Sequence, residues 1–370
     1  MKSLSTLLAR ILLLINIALA LAFILSAWSP WLVHPKIHPF ISLWGFFMPL
    51  FFLANLGFVA LWLIFKWKFA CISLLSFVIC QGQLRTYFPL NFHEEKIPKE
   101  AIKVLSYNVM GFNKLIKDGT PTHNPILAYI KNTDADIVCL QEYRVRVGED
   151  AYQISEKDIR KALNQYPYYR KVEVGKDLNP GQNLALFSRY PILSVRPFYF
   201  DESANGAAVF RLLIDKDTVN VVNCHLESNK MTKEDKVIYE GLIKNPKTNG
   251  AKAGAKLLIR KLAEATSKRS LQVDTIADWM KLHPGSYFLC GDFNDIPTSY
   301  THRILLGDGE DAYVETGRGL GISYNQNKFF FRIDNIFHST DWKALKCKVD
   351  NSISESDHFP IWAYFIRKKH

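Results

Sequence analysis

The first 92 residues contain no Asp or Glu, only six Lys or Arg, and long uninterrupted apolar runs. Such a stretch cannot cover itself with a hydrated surface. It is long enough to cross a bilayer more than once, since one helical crossing needs about 20 apolar residues. Ile11–Trp28 and Ile41–Phe65 each meet that length. Phe69–Leu84 is shorter and is interrupted by Gln81, Gly82 and Gln83. The expectation is a transmembrane anchor over residues 1–92 with about three helices, near 8–29, 41–65 and 68–86. A cleaved secretory signal is the plainer reading of the first run, with Lys2 and Arg10 as its basic end. Two further apolar segments follow it, and no clear cleavage site stands out.

Lys and Arg placement sets the expected orientation. Lys2 and Arg10 precede the first run, and Lys66 and Lys68 separate the second from the third. Lys36 and Arg85 stand alone on the other side. This pattern puts the N-terminus in the cytoplasm. Three crossings then place the rest of the chain outside the cytoplasm, periplasmic or extracellular, in a multi-pass protein of the cell membrane. Two crossings leave it inside. Trp28, Trp31, Trp44, Trp62 and Trp67 flank the runs as interfacial anchors do.

Residues 93–370 have globular composition and can bury a sizeable core. The formal net charge is +11, of which the six basic residues of the anchor leave +5 here. That excess is concentrated in Asn229–Arg269, with eleven Lys or Arg against four Asp or Glu. One insertion is basic, not a whole face. It reads either as a lid that gathers an anionic substrate or acidic headgroups, or more plainly as a solvated helical excursion. Cys139, Cys224 and Cys290 lie within apolar strands and Cys347 near a late one, with no zinc spacing, so they read as small buried hydrophobes.

Period-two apolar runs predict strands at Ala101–Tyr107, Ala135–Leu140, Asn183–Ser188, Ala207–Ile214, Thr218–Cys224, Tyr287–Cys290, Arg332–His338 and Ile361–Ile366. Helices are expected at Pro125–Asn132, Lys157–Gln165 and Leu257–Met280. Alternating strands and helices, mixed with consecutive strands, argue for a layered α/β or α+β sandwich.

Six short polar motifs close these apolar runs in order. They are SYNV (Ser106–Val109), LQEY (Leu140–Tyr143), NCHLES (Asn223–Ser228), GDFN (Gly291–Asn294), RIDNIF (Arg332–Phe337) and SDHFP (Ser356–Pro360). Hydrolysing a phosphate ester needs oxygen ligands for a hard cation, a base for water, and donors for phosphate oxygens. These motifs offer all three. Asp292 and Asn294 lie two apart, so in an extended chain both face one side. An Asx turn after the strand is the plainer alternative. Glu142 ends an apolar strand where a hard cation could take its carboxylate, and Arg144, two residues on, could touch a phosphate. Asp334 sits among apolar neighbours, where a carboxylate is costly unless paired, and His358 is its natural partner.

The ordered set Asn108, Glu142, His225, Asp292/Asn294, Asp334, Asp357/His358 resembles the endonuclease/exonuclease/phosphatase superfamily, the DNase I-like fold. The resemblance covers most of Ala101–Ile366. It implies a four-layer sandwich and a Mg²⁺-dependent phosphoesterase, with Mn²⁺ as a substitute. It also implies that Glu142 is the principal metal ligand, aided by Asn108 and Asp357. Asp292 and Asn294 resemble the pair that orients or deprotonates water and holds phosphate. His358, supported by Asp334, resembles the general base or phosphate-oxygen stabiliser. His225 resembles the histidine that protonates the leaving oxygen or binds phosphate, and Asn108 also meets phosphate. One departure is clear. In DNase I a Glu supports the counterpart of His225, whereas the matching strand here offers Gln182 and Asn183, which favours the wider phosphodiesterase/phosphatase branch. The implied substrate is an anionic phosphoester, either nucleic acid, lipid headgroup or small molecule, and no protein partner is evident. A non-catalytic binding module tethered to the membrane is the rival, and it predicts missing ligands.

Overall fold

The computed structural model describes residues 6–93, 95–114, 124–146, 153–175, 183–201, 203–229, 249–324 and 330–368, with isolated positions 235, 238, 241 and 326. Two helices are long and apolar enough to cross a membrane, α1 (Thr6–Leu32) and α2 (Pro39–Phe65). The third apolar segment is a bent pair, α3 (Ala70–Ile79) and α4 (Gln81–Tyr87), with a 66° bend where the polar Gln-Gly-Gln run begins. The pair can form one further span. Buried amides tie the bundle together. Asn16 donates to Ser73 Oγ (2.7 Å), Ser73 donates to Asn55 Oδ1 (2.8 Å), and Trp62 Nε1 donates to Asn16 Oδ1 (2.9 Å). Polar groups shielded from water must satisfy one another, and here they fix the register of three helices.

The rest of the chain contains two six-stranded mixed sheets. The first has the order β11-β12-β1-β2-β4-β3, built from Trp342–Val349, Ile361–Arg367, Ile102–Asn108, Ile137–Gln141, Asn183–Ser188 and Tyr168–Glu173. The second has the order β5-β6-β7-β8-β10-β9, built from Ile192–Phe198, Gly206–Ile214, Asp217–His225, Tyr287–Asp292, Asp334–His338 and Glu310–Asp311. The pairs β1–β2 and β7–β8 are parallel and the others antiparallel.

Three hydrophobic cores separate four layers. Val104, Cys139, Leu186, Phe210, Val221 and Phe288 fill the space between the sheets. Outside the first sheet, Leu105, Val138 and Leu140 meet α5 (Pro125–Thr133) and α6 (Glu156–Ala162) through Ile126, Ile130 and Ile159. Outside the second, Val222 and Leu289 meet α7 (Asn249–Leu282) through Val273, Ile276 and Trp279. The short helices start where side chains cap them. Asn124 accepts from Leu127 N–H ahead of Pro125, and Ser155 accepts from Asp158 N–H. Asp134, in the left-handed conformation, ends α5. This is the four-layer α/β sandwich that the motif order implied.

Some elements differ from the sequence expectation. Strands β3, β5 and β11 carry exposed or half-buried residues, so the burial alternation that marks a strand is weak in them. Helix α7 begins at Asn249, well before the first periodic leucine. Strand β10 begins at Asp334 and not at Arg332. No disulfide forms: Cys71 is exposed on α3 and the other five cysteines are buried.

Candidate active site

Strand pleating places the polar motif residues. Residues i, i+2 and i+4 face one side of a strand. In Val104–Ser106–Asn108, Ile137–Cys139–Gln141, Val221–Asn223–His225 and Phe288–Cys290–Asp292, the row begins apolar between the sheets and ends polar at their common edge. The register aligns those ends: Asn108 lies opposite Gln141, and His225 and Asp334 each lie opposite Asp292. Asn223 and Gln141 join the sheets beneath the edge. Gln141 Nε2 donates to Asn223 Oδ1 (2.7 Å), and Asn223 Nδ2 donates to the Leu140 carbonyl (3.1 Å).

Glu142 follows Gln141, so plain alternation would send it to the opposite face. Its φ of 49° turns it back. Asn294 also has a positive φ, 53°. Non-glycine residues in this region cost energy and persist where the surroundings hold them. The extended arrangement expected for Asp292 and Asn294 is therefore corrected. Asn294 N–H donates to Asp292 Oδ1 (2.9 Å) in an Asx turn, and its side-chain amide donates to the Leu226 carbonyl (3.0 Å). Gly291 makes this close crossing possible. Its φ is 136°, and a Cβ would sit 1.9 Å from the Cys224 carbonyl oxygen.

Asp292 Oδ2 is the hub of the cluster. Asn108 Nδ2 donates to it at 3.2 Å, His358 Nε2 lies 3.6 Å away and His225 Nε2 3.7 Å away. Asn108 Nδ2 also approaches Glu142 Oε1 (3.4 Å), and His225 Nε2 lies 3.9 Å from that oxygen. His358 Nδ1 bonds Asp334 Oδ2 at 2.8 Å, the pairing expected from sequence. Asp357 lies beside these groups in the loop before β12, where the Ser356 hydroxyl contacts its Oδ1 at 3.4 Å. Arg144 is partly exposed, and its Nη2 donates to Glu142 Oε2 (2.9 Å). Gln182 lies outside the described residues. Asn183 pairs with Glu173 at the end of β4, buried, and its Oδ1 has no hydrogen-bond partner among the described residues.

Burial pushes the Asp292 carboxyl up to about 6, against the pull of His358. Burial alone would lower the His358 imidazole, but Asp334 and Asp292 outweigh it and hold the group up at about 10. Burial likewise raises Glu142, yet His225 and Arg144 outweigh it and leave the carboxyl below its ordinary value. The site thus pairs an anionic Glu142 with a cationic His358 across a carboxylate that titrates near neutrality.

The donor set fits a hard divalent cation. Glu142, Asp292 and Asp334 bring three carboxylates to one edge, with amide and imidazole groups between them. Asp292, Asp334 and His358 each place a ligand atom within 4.8 Å of the others, and since His358 is held cationic by the two carboxylates, only the carboxylates of that group can take a cation. Asp334 Oδ1 is buried with no hydrogen-bond partner among the described residues. A buried carboxylate oxygen left without a donor favours a cation nearby.

Sequence reasoning missed three groups here. Asn205 Nδ2 lies 3.3 Å from His225 Nε2 and donates to the Leu226 carbonyl (2.7 Å). It precedes β6 in no recognisable motif, and only its place before Gly206 hinted at a tight approach. Tyr324, from a loop without periodicity, sets its ring 5.2 Å from that of His358. Arg269, counted from sequence in the basic insertion, is fully buried. It donates to the Glu227 carbonyl (2.7 Å) and pairs with Asp295 (3.4 Å), so it braces the chain just after His225 and just after Asn294. Much of Asn229–Arg269 before α7 lies outside the described residues, and this one arginine departs from the solvated reading.

The class defined by this fold and this edge is the DNase I-like four-layer sandwich. The model of the Endonuclease/Exonuclease/phosphatase family matches residues 105–358, and the chain belongs to that family of phosphoesterases. A second model, that of a domain of unknown function, matches residues 9–87. The search of curated proteins found no match. Among solved structures, humanized D. rerio TDP2 carrying 14 mutations aligns with a TM-score of 0.51 at 14% identity, covering 72% of this chain and 99% of its own. D. rerio TDP2 complexed with single strand DNA product aligns at 0.51 and 15%, covering 72% and 100%. The endonuclease/exonuclease/phosphatase from Beutenbergia cavernae aligns at 0.51 and 16%, covering 72% of each chain. At these identities the likeness shows the shared fold.

Proposed function

We propose that this protein is a membrane-anchored, Mg²⁺-dependent hydrolase of phosphodiesters, with Mn²⁺ able to replace Mg²⁺. One observation carries the reading. A single carboxylate oxygen, Asp292 Oδ2, has Asn108, His225 and His358 nitrogens within 3.7 Å, with Glu142 sharing two of those partners. That is the arrangement needed to bind a phosphate and activate water beside it.

Glu142 is the principal metal ligand in this reading, with Asn108 and Asp357 completing the protein's share. When bound, the cation supplies Lewis-acid charge to the phosphate oxygens. Asp292 takes a proton from the attacking water, and its raised pKa suits that task near neutral pH. Asn294 holds the loop that aims Asp292 and offers its amide to phosphate. His358 remains cationic through neutral pH and presents Nε2–H to a phosphate oxygen, while Asp334 fixes its Nδ1–H. His225, oriented by Asn205, faces the leaving oxygen. Arg144, half-exposed and paired with Glu142, is placed to receive an anionic substrate at the rim.

The anchor topology supports a site outside the cytoplasm. The C-terminal end of α1 and the N-terminal end of α2 adjoin the catalytic layers, where His34 bonds Asp274 (2.8 Å) and Arg303 stacks on Trp31. Helix α4 returns to the same side, where Arg332 Nη2 donates to the Thr86 carbonyl (2.7 Å). Asn16 and Asn55 each lie 16 residues from that end of their helices (Leu32 and Pro39) and meet Ser73. This placement supports a reading with three crossings, in which Arg10, Lys66 and Lys68 share the far, cytoplasmic side. Nucleic acid, which D. rerio TDP2 holds as single strand DNA product, and lipid headgroups are the two substrate classes in view.

Mn²⁺ binding by the full chain in detergent, followed by electron paramagnetic resonance, tests the site. Wild type binds one ion and Glu142→Gln loses at least a factor of ten in affinity. Equal binding by both refutes the ligand assignment.

A further inference from the structure

The wall of the candidate site is shared with the end of the membrane anchor. Residues 318–324 and 330–331 carry both contacts. On its inner side, Ser323 Oγ accepts from Ile333 N–H and Asp334 N–H (both 3.0 Å), which positions Asp334. Phe359 N–H donates to the Ser323 carbonyl (2.6 Å), and the Tyr324 ring packs edge-on against His358. On its outer side, Gly319 N–H donates to the Pro89 carbonyl (2.8 Å), the Arg318 guanidinium lies 4.5 Å over Phe92, and Phe331 meets Phe46 of α2 edge-on at 5.8 Å. The loop after Asn294 rests on the anchor as well. A Cβ at Gly45 would come within 2.8 Å of the Thr298 carbonyl oxygen.

The surface beside this shared wall is apolar. Phe88, Leu90 and Phe92 alternate along the connector, and Leu320 and Phe330 belong to the wall segment itself. Phe92 and Phe330 are 69% and 54% exposed. Exposed aromatic and aliphatic groups of this size, grouped together, mark a surface that something covers. They continue the apolar surface of α2, where Trp44 and Phe47 are also exposed. Cations among aromatic rings, as in the Arg318–Phe92 pair, suit the headgroup level of a bilayer. A single-strand binding surface would instead need cations along its length beside the rings. Among the described residues of this wall, Arg318 is the cation set against a ring, over Phe92.

We infer that residues 318–324 and 330–331 and the Phe88–Phe92 connector lie in the bilayer interface, so that the site opens onto headgroups and its substrate is a phosphoester carried by a membrane lipid. This rests on the proposed phosphoesterase activity and assigns its substrate class. The reaction would be attack of water on the lipid phosphorus. The new P–O bond comes from water, the P–O bond to the leaving alcohol breaks, and that alcohol takes the proton.

The test uses the full chain in vesicles made of phosphatidylethanolamine, phosphatidylglycerol, phosphatidylcholine, cardiolipin and sphingomyelin, with Mg²⁺. Three substrates are compared: the vesicle lipids, soluble bis(p-nitrophenyl) phosphate, and a single-stranded oligonucleotide. Leu320→Asp and Phe330→Asp are expected to lower lipid turnover at least ten-fold and leave turnover of the soluble diester unchanged. Diester or oligonucleotide hydrolysis with no lipid turnover overturns the inference and leaves the phosphoesterase reading standing. Equal loss on lipid and soluble diester in both variants also overturns it, because the segment is then only a support for the site. Silence on all three substrates overturns both readings.

Discussion

Arg332→Met should be among the most damaging substitutions in the catalytic layers. The Arg332 side chain is fully buried and donates to Asp311 Oδ2 (3.0 Å), Asn335 Oδ1 (3.1 Å) and the Thr86 carbonyl (2.7 Å). Asp311 is itself buried, and although burial would raise its carboxyl, Arg332 and His302 hold it well below the usual carboxylate range. His302 is held toward its neutral form in the wild type, because burial and the nearby Arg332 pull its pKa down despite the Asp311 contact. Removing one member of a buried ion pair costs about 3–5 kcal/mol, since the other charge is left desolvated and unpaired. For a domain of this size that corresponds to a fall in Tm of roughly 10 °C. The assay is thermal unfolding of the full chain in detergent at neutral pH, by intrinsic fluorescence. Arg332→Met/Asp311→Asn should recover part of the loss, because no charge is then stranded and an Asn oxygen can still cap Tyr313 and Val314 N–H. The pH dependence has a definite sign. A folded-state pKa below the unfolded one contributes stability that is complete above about pH 4 and fades as pH falls through the folded value. The gap between wild type and Arg332→Met should therefore be flat from neutral pH to about 5 and narrow only in stronger acid. A single variant within about 1 kcal/mol of wild type, or a double variant no better than the single, would refute this reasoning.

Three further outcomes follow from the site. Gly291→Ala should prevent accumulation of folded protein, since the new Cβ meets the Cys224 carbonyl at 1.9 Å; recovery of soluble, monodisperse protein at wild-type yield would contradict it. Asp334→Asn removes the carboxylate that, with Asp292, holds His358 protonated, so the activity deficit should grow as pH rises from 6 to 9, and a deficit constant across that range in a pH–rate profile would count against a cationic His358. Asn205→Ala should lower kcat by roughly 10- to 100-fold with little change in Tm, as expected for a residue that orients the leaving-group histidine; an unchanged kcat would remove Asn205 from the site.

Much of this site is legible in the chain because strand periodicity carries it. Val221–Asn223–His225 and Phe288–Cys290–Asp292 are rows whose polar last member has to emerge at a sheet edge, and Asp334 among apolar neighbours had to find a partner such as His358. Periodicity says nothing about a residue whose backbone leaves the pleat. Glu142 and Asn294 reach the cluster through left-handed conformations, which no hydrophobic pattern reports. Asn205, Tyr324 and Arg269 act from loops or from a helix that looked merely basic, and their roles depend on which distant element they meet. Edge strands such as β3 and β5 were hidden because half their residues face water, whereas the bend between α3 and α4 falls where the Gln81–Gln83 interruption is visible in the sequence.

The central claim is that Glu142, Asp292 and His358 form a metal-dependent phosphodiesterase site. Its most direct test is hydrolysis of bis(p-nitrophenyl) phosphate by the full chain in nanodiscs, titrated with Mg²⁺ after treatment with EDTA, beside Glu142→Gln. The account predicts no turnover without metal, saturable recovery with Mg²⁺, and a loss of at least roughly 1,000-fold in the variant at unchanged Tm. Metal-independent turnover, or full activity in Glu142→Gln, would contradict it.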